Sequence, residues 1–110
     1  MYKENKHKLL SLLCDIGFEK DKSVWDECYV FTDKKGIQYE FIIETWSATH
    51  QKNVRLMILI DNCWHSVFRI IDDIMCDTFK WNNLFDKLET HFKSEIRKTK
   101  IDNILLIYKK

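Results

Sequence analysis

Proline is absent from this chain of 110 residues, and glycine occurs only twice, at Gly17 and Gly36. Backbone approaches a phosphate closely, or makes the strained turn that presents a nucleophile, where Cβ is missing or φ can be positive. Neither glycine has another within reach. Dinucleotide fingerprints, P-loops, glycine-rich kinase loops and nucleophile elbows are therefore not written in this sequence. Long apolar runs are missing as well. The longest extends from Leu56 to Ile60, whereas a bilayer span takes roughly 20 residues. The chain opens Met1-Tyr2-Lys3-Glu4-Asn5-Lys6, while a secretory leader needs an apolar run of about 7–15 residues. We expect a cytoplasmic protein with no membrane association.

Cysteine is present but unpatterned. Cys14, Cys28, Cys63 and Cys76 are scattered, and no two have the spacing of a zinc knuckle or a redox dithiol. A single domain over residues 1–110 removes roughly two-thirds of its unfolded surface from water, so it needs no covalent staples. The cysteines read as reduced thiols of the core. Neither a metal nor a cofactor is expected.

The formal net charge is only +1, which gives no overall pull toward nucleic acid or acidic lipid. Its distribution says more. From Glu19 to Glu44 seven acids face four lysines, and from Asp61 to Asp86 five acids face two bases. From Lys87 to Lys110 seven bases face three acids. The middle is acidic and the end basic.

Leu9, Leu12, Leu13 and Ile16 recur at threes and fours, which predicts a helix from Lys3 to Asp15, ended by Gly17. Val24 to Thr32, rich in aromatic and β-branched residues, reads as a strand. A turn at Asp33-Lys34-Lys35-Gly36 leads into the alternation of Ile37, Tyr39, Phe41 and Ile43 against Gln38, Glu40, Ile42, Glu44 and Trp46. Val54 to Ile60 is a third strand, and its near-continuous apolar run suggests cover on both faces.

Beyond it, Trp64, Val67, Phe68, Ile71, Ile74, Met75 and Phe79 recur at threes and fours, predicting a second helix capped by Asp61 or Asn62. A third is expected from Asn83 to Thr99, with Asn82 or Asn83 as its cap and basic residues late, where the macrodipole favours them. Ile104 to Tyr108 reads as a short strand, with a helical tail as the alternative. The expected fold is thus α+β: a three- or four-stranded, mostly antiparallel sheet in the order helix, three strands, two helices and a last strand, with the helices packed on the sheet.

Double-stranded-RNA-binding domains and restriction-endonuclease-like nucleases share part of that order, but their residues are missing. The former place a lysine cluster at the start of the helix after the sheet, where this chain has His65, Ser66 and Arg69. The latter need an acid and a lysine on the third strand to hold a metal, and Val54 to Ile60 contains neither.

Cys63 and His65 would share a face on a strand, but on a helix positions two apart diverge by about 200° and cannot share an ion. Glu40 and Glu44 bracket Ile42 on one strand face, with Trp46 next along it. An aromatic anchor within a polar rim is the composition of an interface hot spot. Asp72, Asp73 and Asp77 would lie on one side of the second helix, repelling one another unless a basic partner meets them. These seven residues are the expected contact surface for a protein partner that is itself basic or binds nucleic acid. The expected function is non-enzymatic neutralisation of that partner, as by an immunity protein for a toxin or an inhibitor of a defence nuclease. The alternatives are a nucleic-acid contact through Lys93, Arg97, Lys98 and Lys100, or a small enzyme whose site forms only on folding.

Overall fold

The computed structural model describes residues 2–22, 27–46 and 48–108; within these, nothing is described of the side chains of residue 100 and residues 102–108. The architecture is α+β. The helix α1 (Tyr2–Ile16) is followed by strands β1 (Glu19–Asp21), β2 (Glu27–Thr32), β3 (Gln38–Thr45), β4 (Lys52–Ile60) and β5 (Cys63–Ile70), then helices α2 (Trp81–His91) and α3 (Lys93–Tyr108). The strands form one antiparallel meander in sequence order. Among the described residues there are five of them rather than three or four, and Ile104 to Tyr108 is helical, the alternative to the expected strand.

Helix α1 stops where the sequence places its end. Gly17, at φ +121°, lets its own N–H and that of Phe18 both donate to the Leu13 carbonyl, at 3.1 and 2.9 Å. The β2–β3 turn forms as expected too, with Gly36 at φ +83° and the Asp33 carboxylate accepting from the Lys35 and Ile37 N–H groups. The expected start of the first strand at Val24 falls on residues 23–26, outside the described residues, and β2 is described from Glu27.

The largest correction falls on the expected second helix. Asp61 and Asn62 do not cap it. Both adopt positive φ, 51° and 63°, and form the two-residue loop of a tight hairpin between β4 and β5, the geometry that matches the right-handed twist of paired strands. Strand β5 then carries an irregularity opposite Leu56/Met57, because Ser66 pairs with Met57 and Phe68 with Leu56, leaving Val67 as an extra residue. That one-residue insertion shifts the alternation between faces by one step. Apolar spacings of three and four result, and they imitate a helix. The strand ends at Ile70, and the irregular segment that follows sends Ile74 and Phe79 into the core.

The third expected helix is two. It breaks at Phe92, whose φ and ψ of −109° and 30° leave the helical region. Helix α2 begins at Trp81, so Asn82 and Asn83 lie in its first turn rather than at its cap, and Lys80, the actual cap position, makes no side-chain capping bond. The break drives the Phe92 ring into an aromatic cluster, with centroids 5.4 Å from Phe18, 5.9 Å from Phe31 and 5.1 Å from Tyr39.

All of the helices pack on one face of the sheet. Leu9 and Leu13 of α1, Leu84 and Leu88 of α2, Phe92, and the sheet residues Tyr29, Tyr39, Phe41, Ile43, Val54 and Leu56 form one buried cluster. The Thr99 hydroxyl donates to the Asp15 carbonyl at 2.7 Å and ties α3 to the end of α1. All four cysteines are free, but only Cys28 is buried, which corrects the expectation of four core thiols.

Candidate functional site

The opposite face of the sheet, which we call the outer face, holds the strand residues that the sequence singles out. Directly paired residues of neighbouring strands share a face. One row therefore crosses all five strands, from Asp21 through Cys28, Ile42 and Arg55 to Arg69. Next to it run Glu19, Val30, Glu40, Met57 and Ser66. Ile42 is only 8% exposed and lies opposite the buried Cys28, so it is an internal spacer of this face rather than an accessible anchor.

Arg55 and Arg69 stand opposite each other on β4 and β5, a like-charge pair that Glu44 resolves. One Glu44 oxygen lies 2.9 Å from Arg55 Nε, as a charge contact rather than an aligned hydrogen bond, and the other 3.6 Å from an Arg69 terminal nitrogen. Glu44, one of the expected contact residues, is thereby engaged within the protein's own ion cluster.

At the end of the sheet beyond this cluster, Asn53 is a buried polar hub, 1% exposed. With its amide oriented to satisfy its surroundings, the side-chain oxygen accepts from Trp46 Nε1 at 2.8 Å and the nitrogen donates to the Ile71 carbonyl at 2.5 Å. Gln51 Nε2 donates to that same carbonyl at 2.6 Å. The Asp73 carboxylate accepts from the Lys52 and Met75 N–H groups, at 3.2 and 3.0 Å, and Ile74 N–H donates to the Lys52 carbonyl. These bonds fasten the irregular segment after β5 to the start of β4. Three large apolar side chains remain exposed there: Trp46 at 47%, Ile71 at 64% and Met75 at 49%.

The seven expected contact residues therefore divide. Trp46 and Asp73 belong to this hub, Asp72 and Asp77 are exposed on the same irregular segment, and Glu40, Ile42 and Glu44 lie along β3. The three aspartates do not share a helix face, because that helix does not form, and Asp73 serves as a turn acceptor. Ile71, Met75 and Asn53 were missed. Reading Asp61-Asn62 as a hairpin loop is the signal that would have found the first two, since it removes them from a buried helical stripe.

Cys63 and His65 are exposed on β5, two apart on one strand, so the geometric objection raised for a helix does not hold. Among the described residues, however, no three His, Cys, Asp or Glu side chains converge on a point that would suit a metal ion. Cys76 is exposed, and a hydrogen bond with the Thr78 hydroxyl at 3.1 Å holds its thiol below the usual range. Lys93, Arg97 and Lys98 lie exposed along α3 and line a shallow groove with Ile101; the side chain of Lys100 is outside the described residues.

Away from these surfaces, Lys6 donates to the Glu27 carboxylate at 2.5 Å, and Tyr29 donates to its other oxygen at 3.1 Å. Burial opposes both charges of the pair. The hydrogen bond and mutual attraction outweigh it, raising Lys6 and lowering Glu27 from their ordinary values. Burial, then the adjacent Glu27 charge, push the Tyr29 hydroxyl up to about 12.

No helix among the described residues is long and apolar enough to cross a membrane. Compared with known proteins, the chain matches no family model, no curated protein and no solved structure.

Proposed function

We propose that this chain is a small, non-enzymatic binding protein that neutralises a partner protein, in the manner of an immunity protein or an inhibitor of a nuclease. Its contact surface would be the Trp46, Ile71 and Met75 patch. One observation carries this reading: three large apolar side chains stay exposed at a place held rigid by a buried asparagine hub. Binding hot spots have this composition, an aromatic anchor on a preorganised support. Asp72 and Asp77 on the same segment add negative charge at the rim, which suits a basic partner and speeds encounter with it.

Affinity capture from the native lysate tests this, with the intact chain and a Trp46→Ala/Ile71→Ala variant run side by side after nuclease treatment. The expected result is a stoichiometric protein retained by the first and lost by the second. Loss of an anchoring residue at a hot spot costs about 2 kcal/mol or more. A partner retained equally by both overturns the assignment to this patch. Nucleic acid that is recovered only without nuclease moves the function to Lys93, Arg97, Lys98 and Lys100 on α3.

A further inference from the structure

We infer that the cleft between the end of α1, the β2–β3 turn and α3 is a binding site for a small organic ammonium ion, a protonated amine with one positive charge and an apolar body. The cleft encloses about 880 Å³, within the usual span of small-ligand sites, roughly 300–1,000 Å³. It lies at the start of β3, at the end of the strand opposite Trp46. Ile16, Phe31, Ile37 and Tyr39 supply its apolar wall, with the Phe31 and Tyr39 rings stacked at centroids 6.1 Å apart.

The polar groups of the wall select the charge. Tyr39 is only 8% exposed, yet among the described residues its hydroxyl has no hydrogen-bond partner, and Asp33 and Glu95 reach it only as charges. Burial, then those two charges, raise the hydroxyl from its ordinary value, so at neutral pH it keeps its proton and offers an oxygen lone pair. Asp33 and Glu95 are half-buried in the lining, and neither joins an ion pair among the described residues. One Asp33 oxygen accepts from the Lys35 and Ile37 N–H groups of the turn, which leaves the other for a ligand. An ammonium carries three donors, and Tyr39, Asp33 and Glu95 bring three acceptors to one cleft. The aromatic wall beside them adds cation–π attraction. Lys34, Lys35 and Lys98 line the cleft as well, but they are exposed, so their charges stand in water at its mouth. They limit the ligand's charge, because a second cationic group would meet three lysines there.

Titration of the isotope-labelled full chain with phenethylamine at neutral pH, followed by amide NMR, tests the inference. Saturable shifts are expected at Gly17, Phe31 to Ile37 and Ser94 to Thr99. The neutral phenylethanol, the anionic phenylpropionate and the polyamine spermidine should each bind at least tenfold more weakly. Tyr39→Phe and Glu95→Gln each remove one acceptor and should raise the dissociation constant about tenfold, while Glu89→Gln on α2 makes the same change in net charge and leaves it unchanged. Tyr39→Phe keeps the ring and its aromatic contacts, so its thermal melt should match that of the parent. Absence of shifts at these amides overturns the inference. So does phenylethanol or phenylpropionate binding as tightly as the amine, or a dissociation constant that neither variant raises. None of these failures bears on the Trp46 patch, whose test reads capture of a protein.

Discussion

Trp46 donates its indole N–H to the buried Asn53 side chain, 2.8 Å away, so a half-exposed aromatic ring is anchored to the sheet by its polar end. Asn53→Ala should remove that anchor and leave the Ile71 carbonyl with one donor fewer. A buried polar group that loses its partner costs about 1–3 kcal/mol. The expected outcome is a fall in the urea midpoint of that size, together with a change in Trp46 emission as its ring gains freedom. Asn53→Asp should behave worse, because a carboxylate facing a carbonyl is repelled.

The Lys6, Glu27 and Tyr29 cluster makes stability depend on pH at both extremes. Glu27 is depressed from 4.5, so its contribution is present above that value and lost as pH falls through the lower folded pKa. Lys6 is raised from 10.5, so its contribution is complete below that value and lost as pH rises through the higher folded pKa. Tyr29, raised from 10.0 to about 12, adds a further fall across that alkaline interval, because the unfolded chain releases the proton first. Denaturant midpoints measured against pH should show a plateau with both limbs. Glu27→Gln should flatten the acid limb and cost about 1–2 kcal/mol at neutral pH.

The two glycines should differ in their tolerance of a side chain. At Gly17 a Cβ would lie 2.9 Å from the Phe31 ring, at a φ of +121° that L-residues rarely adopt. Gly17→Ala should cost about 2–3 kcal/mol, since strain and contact add. At Gly36, φ +83° is also unfavourable, but nothing lies within 4 Å. Gly36→Ala should cost about 1–2 kcal/mol. Thermal melts of the two variants check the order.

The β4–β5 loop gives a substitution that should stabilise. Asn62 holds φ at 63°, where glycine has no steric cost. Asn62→Gly should raise stability by about 0.5–1 kcal/mol, whereas Asn62→Val should lower it by about 1–2 kcal/mol. If Asn62 were instead a helix cap, both changes would weaken the fold. The sign of the glycine variant in a thermal melt therefore separates the two structures.

Much of the fold was legible wherever one local rule acted alone. The leucine spacing of α1 and Gly17 at its end, the β2–β3 turn, and the alternation of Tyr39, Phe41 and Ile43 all follow from backbone sterics and from burying one face. These rules reach only a few residues along the chain. The segment after Ile60 failed because two local readings competed. Its apolar spacing fits a helix, and it equally fits a strand whose phase slips by one residue at Val67. Pairing with β4 decided between them, and pairing is a contact between segments that periodicity does not describe.

The candidate surfaces divide in the same way. Trp46 and its neighbouring acids could be picked out from composition, because an aromatic among carboxylates is unusual wherever it lies. That Ile42 would be buried against Cys28, that Glu44 would be held between Arg55 and Arg69, and that Ile71 and Met75 would emerge beside Trp46 were decided by strand register and by the Asn53 bonds. The amino-acid sequence by itself determined the class of fold, the ends of α1 and the positions of charge along the chain. Tertiary structure alone decided which of those charges meet and which apolar side chains stay in water, because both depend on packing between residues far apart in the chain.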